Sequence, residues 1–346
     1  MAHSTVPRST VEAKTKTPAK PPVASGGATG PDESRRPGKL SLRFRFRRDR
    51  VLLLMTLPAL VLVLLFNYVP ILGNVVAFQE YDPYISTNGV VSILNSPWVG
   101  LENFERIFQD SAFWQAVQNT LVLFFLQLVL FFPIPILLAL LINSVVRPRV
   151  RAVAQAVLYL PHFFSWVLVI AVFQQLFGGA GILSQLLRQN GYDGLDIMTN
   201  PDTFPFLLTA QSVWKDAGWG IIVFLAALAS VSPDLYEAAA MDGAGRWRRM
   251  WHVTLPALRP VIALLLVLRV GDALTVGFEQ ILLQRDAVGP GAAEVLDTFV
   301  WWNGVRNQDF GYAAAAGLIK GVVSIGLVLA ANKVAHLMGE QGVYRK

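Results

Sequence analysis

The stretch EAAAMDGAGRWRRMWHVTLPAL, Glu237 to Leu258, lies between two long apolar runs, and its reading decides the fold. Just ahead of it, Ser232-Pro233 is a helix start. Serine accepts a hydrogen bond from an orphan backbone N–H, and proline is preorganised for the first helical position. Asp234 suits the positive end of the helix dipole. Leu235 to Met241, with three consecutive alanines, predicts a helix. Gly243 and Gly245 predict a bend after it. Trp247, Met250 and Trp251 then recur at i, i+3 and i+4 as one apolar stripe, with Arg246, Arg248 and Arg249 mostly off it. Leu255-Pro256 is expected to end that element and open the next apolar run. The expectation is two short helices joined by a small-residue bend that leaves room for another body. A second physical reading is an amphipathic helix lying at a membrane surface, anchored by its tryptophans.

Working outward, 54% of the 346 residues are hydrophobic, only 15% are charged and mean hydropathy is +0.48. A soluble domain carries about a quarter charged residues. The apolar excess falls into six runs of membrane-spanning length, at about 51–77, 115–146, 152–177, 204–230, 257–283 and 311–338. The expected class is an all-α integral membrane protein. Pro133 and Pro135 predict a kink in the second run, whose freed carbonyls need partners inside a bundle. No cysteine is present, which excludes disulfides, thiolate zinc sites and cysteine nucleophiles. The four histidines, His3, His162, His252 and His336, are scattered, so a metal site is not expected.

Charge placement predicts orientation. With the N-terminus inside, eighteen Lys and Arg fall on the inner side: eight in 35–50, then Arg147, Arg149, Arg151, Arg246, Arg248, Arg249, Arg259, Lys333, Arg345 and Lys346. Arg106, Arg188, Arg285 and Arg306 are the four outside. That excess places both termini, and the quoted loop, in the cytoplasm. The outer loops are long and acidic, from Glu80 to Asp309, which suits a docking surface. Residues 1–48 are read as a disordered, basic cytoplasmic segment, because they hold few large apolar side chains to offset ordering entropy. The basic run beside the first span is a topology signal and a contact for anionic lipid, with no nucleic-acid role expected. The transmembrane domain is expected over 49–340, with a core at about 114–338 and the loop at 231–256. Residues 341–346 form a short tail.

Charges inside the spans are costly in lipid. Arg269 and Asp272, at i and i+3, are expected to pair on one helix face. Lys215 and Asp216 are adjacent and are expected to point in different directions, and Lys320 stands in the sixth span.

The pattern Glu237-Ala238-Ala239, three residues, Gly243, nine residues, Val253, one residue, Leu255-Pro256 resembles the EAA loop of ABC importer permeases, and Asp242-Gly243-Ala244 extends it. Trp98-Val-Gly-Leu-Glu-Asn-Phe104, Phe113 and Asn119-Thr120-Leu121 resemble the approach to the second span in carbohydrate permeases of the maltose type. Leu160-Pro-His-Phe-Phe-Ser-Trp166, Trp214-Lys215 and Gly277-Phe278-Glu279-Gln280 resemble the branch for oligosaccharides and polysaccharide fragments.

The resemblance covers roughly 50–340. It implies a type I importer fold with six transmembrane helices and a coupling helix between the fourth and fifth, in a multi-pass protein of the bacterial cell membrane. Glu237, Ala238, Ala239, Asp242, Gly243, Ala244, Leu255 and Pro256 would then meet an ATP-hydrolysing partner. Implied partners are a second, non-identical permease chain, two ATP-binding subunits that carry ATP and Mg, and an extracytoplasmic solute-binding protein loaded with an oligosaccharide. Because sugars are held by aromatic faces and planar hydrogen-bonding groups, the substrate-path candidates are Phe163, Phe164, Trp166, Trp214, Lys215, Trp219, Phe278, Glu279 and Gln280. The same aromatics have packing and interfacial-belt roles as alternatives.

The chain itself has no GxxxxGK[ST] loop. Gly38-Lys39 is the nearest fragment, with Glu33 and Leu40 at positions that need Gly and Ser or Thr. No cofactor and no catalytic residue are therefore expected on it. An ABC permease for a non-sugar solute and an ion-coupled secondary transporter remain as alternatives. The latter predicts internal repeats, which the sequence does not show. A membrane-embedded enzyme would need a clustered acid–base or metal constellation, and no such motif stands out.

Overall fold

Six apolar runs become helical stretches long enough to cross a membrane: Arg50–Phe78, Ser111–Ser144, Trp166–Gln189, Phe204–Ala229, Arg246–Gly271 and Phe310–Leu337. The structure is a computed structural model that describes residues 50–337. The expected disordered head 1–48 and tail 341–346 lie outside the described residues. The chain divides into two units, residues 1–67 and 68–346. The described part of the first unit is apolar helix from Arg50. Among the described residues of the second, the one piece of β-structure is an isolated antiparallel bridge between Gln79 and Trp98.

The fourth span, Phe204–Ala229, is the most deeply enclosed of the six, and its buried residues include the polar Thr209, Gln211, Ser212 and Lys215 beside the apolar ones. At one end it packs on Pro133–Ser144 and the fifth span, through Ala139, Ile142, Ile221, Phe224, Leu228 and Leu258. At the other end Leu207 and Leu208 join Leu123, Val169, Phe173, Ile281 and Val295. Gly218 is what lets this helix approach the residues before the third span: a Cβ there would lie 2.0 Å from the carbonyl oxygen of Leu158.

Several boundaries differ from the hydropathy reading. The run 152–177 is broken: helix Pro148–Tyr159 gives way to a 3₁₀ turn, Leu160–Phe163, and a new helix starts at Trp166, capped by the Ser165 hydroxyl. Pro161 and extended backbone at Phe164 and Ser165 make the break. The fifth span ends at Gly271 instead of running to 283. Ala273, Leu274, Val276 and Ile281 are apolar because they are buried in protein, at 5% exposure or less, and not because they face lipid. The second span meets its prolines through a π turn, Gln127–Phe131, which widens the helix just before Pro133.

The motif residues ahead of the second span act as ties. Asn103, buried, donates to the carbonyls of Ala77 (3.0 Å) and Gln79 (3.1 Å). Trp98 stacks on Phe78. Asn119 donates to the carbonyls of Gly291 and Glu294, and the Thr120 hydroxyl accepts from Leu296 N. Asn119 and Thr120 fasten the second span to the segment 272–309 between spans five and six. That segment is held further by a buried amide cluster, Gln211–Gln280–Gln284, and by the buried ion pair Arg285–Glu294, whose guanidinium lies 3.7 Å from the Trp302 ring centroid. Lys320 pairs with Asp297.

Candidate functional site

The loop after the fourth span folds as a helix, Pro233–Met241, and buries none of its residues. The Ser232 hydroxyl accepts from Asp234 N at 3.3 Å, with Pro233 in the first turn. The helix stops in a closed turn. Gly243 N donates to Ala240 O (3.0 Å) and Ala244 N to Ala239 O (2.9 Å), with Gly243 at φ +73°. This is the Schellman arrangement, which requires a left-handed residue at that position. Gly243 faces open space, so its role is the dihedral and not room for a neighbour.

The second half departs from expectation. Leu255-Pro256 does not end an element. Helix Arg246–Arg249 passes through a π turn, Met250–Thr254, straight into Leu255–Gly271. Proline is accommodated because it stands in the first turn of the new α-helical segment. Glu237, Ala238 and Asp242 are exposed, Ala239, Ala244, Leu255 and Pro256 half-buried. Met241, Trp247 and Trp251 are all more than half exposed, leaving an apolar surface without cover among the described residues.

The second site gathers residues from two distant stretches. The broken segment 160–165 lies against the fourth span, and Lys215 Nζ donates to His162 O at 2.8 Å. His162 Nδ1 lies 2.9 Å from Asp216 Oδ1, and its ring stacks on Trp219 with centroids 4.9 Å apart. Lys215 also faces the Trp166 ring at 5.4 Å, and Trp214 packs beside Phe164 and Phe173. Lys215 and Asp216, expected to diverge, converge instead on His162, with Nζ and Oδ1 3.8 Å apart. Side chains one residue apart on a helix meet here because both bend toward the same partner. Arg269 does not pair with Asp272 on its own helix. It donates to Gln127 in the π turn of the second span and faces the Phe131 ring, while Asp272 is the exposed C-cap of the fifth span. The π turn is what turns Gln127 toward it.

Six of the nine path candidates, Phe163, Phe164, Trp166, Trp214, Lys215 and Trp219, therefore share one region. Phe163 is 75% exposed and Trp219 56%, so both present aromatic faces outward. Lys215 is buried and its charge is held inside the chain. Phe278 lies apart, in a groove of about 750 Å³ with Tyr81, Thr275, Asp297 and Trp301. Glu279 is exposed. Gln280 is buried at 1% exposure, bonded to Leu208 O, Gln211 and Ser212. Its amide is fully used in fastening segment 272–309 to the fourth span. Sequence reasoning did not single out His162 or Gln127 as members of a site. Their partners are 54 and 142 residues away, and no local spacing signals them.

Comparison with known proteins places this geometry. Residues 131–337 match the family described as "Binding-protein-dependent transport system inner membrane component". The chain is 43% identical to the polygalacturonan/rhamnogalacturonan transport system permease protein YteP of Bacillus subtilis (strain 168), over 88% of this chain and 93% of that one. It is 28% identical to the arabinooligosaccharides transport system permease protein AraP of the same organism, over 84% and 90%. Among solved structures, it superposes on a chain of the bacterial alginate ABC transporter in complex with alginate pentasaccharide-bound periplasmic protein. The TM-score is 0.78 at 36% identity, covering 87% of this chain and 99% of that one.

Proposed function

The chain belongs to the binding-protein-dependent transport system inner membrane component family, and from that premise we propose that it is the membrane-spanning subunit of an ABC importer for oligosaccharides released from polysaccharides. It is a multi-pass protein of the bacterial cell membrane. The observation that carries the proposal is the loop helix Pro233–Met241, closed by a tight turn and with none of its residues buried among the described residues. Such a body is made to be received by another protein.

In this reading the loop faces the cytoplasm, in line with the basic residues gathered on its side of the spans. Partner subunits bind and hydrolyse ATP, and this chain contributes the seat they grip and half of the path. Glu237, Asp242 and the apolar surface of Met241 and Trp247 meet the partner. A second permease chain faces Phe163 and Trp219, which alone would leave the sugar half covered. Aromatic faces with a few polar groups suit saccharide rings, whose axial C–H faces are apolar and whose hydroxyls need planar partners. The polysaccharide-derived cargo of the relatives named above supports an oligosaccharide here, delivered by a binding protein at the opposite face.

The test is ATP hydrolysis by the reconstituted complex of this chain with its permease and ATPase partners, using a binding protein loaded with a panel of neutral and uronate oligosaccharides. One oligosaccharide is expected to stimulate hydrolysis, with stimulation lost in Glu237→Lys and Gly243→Asp. Normal stimulation in both variants, or a well-folded chain that brings down no ATPase, would refute the proposal and return the loop to a membrane-surface anchor.

A further inference from the structure

The loop helix Pro233–Met241 touches the rest of the described chain lightly, and one contact crosses the bend. Tyr236 Oη lies 3.2 Å from Thr254 Oγ1, eighteen residues on. Among the described residues this is the one side-chain hydrogen bond from the loop helix to another element. Thr254 is 6% exposed, and its hydroxyl also reaches Arg249 O at 3.5 Å. A hydroxyl has one proton to give, so when Thr254 donates to that carbonyl, the Tyr236 phenol donates to Thr254.

We propose that Tyr236 and Thr254 form a strut that carries movement of the loop helix into the fifth span, a role resting on the coupling function proposed for the loop. Two routes join the helix to the span. The backbone route runs through Gly243, Ala244 and Gly245, where glycine dihedrals absorb a push by flexing. The second route is the Tyr236–Thr254 contact, which bridges that bend. Thr254 is the last residue of the π turn and directly precedes Leu255-Pro256, where the regular helix of the fifth span starts. A π turn is a place where a helix changes its winding, and such turns recur at functional sites. With the strut in place, the loop helix and the start of the fifth span move as one body. Without it, the bend yields and the span stays behind. Tyr236 is thus a positioning residue, acting through Thr254 and touching neither substrate nor nucleotide.

The experiment compares substrate-stimulated with basal ATP hydrolysis in the reconstituted complex. Tyr236→Phe and Thr254→Val each delete the hydroxyl and little else. Each is expected to lower the stimulated-to-basal ratio about fivefold, the worth of one neutral hydrogen bond. The double variant is expected to fall no further, because both changes cut the same link. Thr254→Ser keeps the hydroxyl and is expected to restore most of the ratio, which a purely packing role of Thr254 would not produce. Unchanged thermal melting and copurifying ATPase accompany the expected result. A full ratio in Tyr236→Phe, multiplying losses in the double variant, or no rescue by Thr254→Ser would overturn the strut. Glu237→Lys and Gly243→Asp in the same assay separate the two ideas. If they couple normally the coupling function itself fails. If they uncouple while Tyr236→Phe does not, the strut alone fails.

Discussion

Gly243 offers the sharpest perturbation, because its surroundings isolate one physical cause. A Cβ at this position meets no atom within 4 Å, so adding a side chain causes no clash with neighbours. The backbone sits at φ +73°, where an L-residue is about 1–2 kcal/mol less favourable than glycine. Gly243→Ala is therefore expected to weaken the two closing bonds, Gly243 N to Ala240 O and Ala244 N to Ala239 O, by that amount. Opening of the turn becomes roughly 5- to 30-fold more frequent. Hydrogen exchange read by mass spectrometry on the peptide containing both amides measures it directly. Asn enters the left-handed region more readily than Ala, and β-branched Val least. The expected order of exchange rate is Gly, then Asn, then Ala, then Val. Gly245→Ala is the control, since Gly245 has φ −66° and also faces open space. The reasoning fails if alanine at 243 exchanges like wild type, or if alanine at 245 accelerates exchange as much.

Gly218→Ala drives a methyl into the Leu158 carbonyl and is expected to cost at least about 3 kcal/mol, whereas Gly317→Ala, in open space, gains up to about 1 kcal/mol of helix propensity; thermal unfolding in detergent compares them. Arg285→Met alone strands the buried Glu294 carboxylate and is expected to cost about 3–5 kcal/mol, while the double change with Glu294→Leu costs far less. Equal melting temperatures for single and double variants would contradict that account of the ion pair. Phe163→Ala removes an outward-facing ring, so stability is expected to move by less than about 0.5 kcal/mol. A lost stacking contact worth about 0.5–1.5 kcal/mol lowers oligosaccharide stimulation of ATP hydrolysis roughly 2- to 12-fold, and unchanged stimulation would remove Phe163 from the path.

Hydropathy carried the helical membrane architecture, because runs near twenty apolar residues have few other uses. It misplaced the end of the fifth span, because burial in protein and exposure to lipid select the same side chains. Ala273, Leu274, Val276 and Ile281 read as membrane and are core. Pro161 stood in plain view, yet proline alone does not say whether a helix kinks or stops. Extended backbone at Phe164 and Ser165 made it stop. The first half of the loop was legible residue by residue, since Ser232, Pro233 and Gly243 act on backbone within a few residues of themselves. The second half was not: the π turn at Met250–Thr254 depends on packing and leaves no local signature. The polar pairs within the spans were misjudged for a related reason. Arg269 sits three residues from Asp272, but Gln127 on another helix offers a buried acceptor that Asp272, at the exposed helix end, does not.

The π turn at Gln127–Phe131 also sets the register of the second span. It holds one residue more than the α-helix on either side of it needs. Removing a single residue there would straighten the helix and rotate everything before it by about 100° relative to everything after. Asn119 and Thr120 would swing away from Gly291, Glu294 and Leu296, and Gln127 away from Arg269, with every one of those amino acids still present. At this point in the chain, register depends on the number of residues, and their identity matters only once that number is kept.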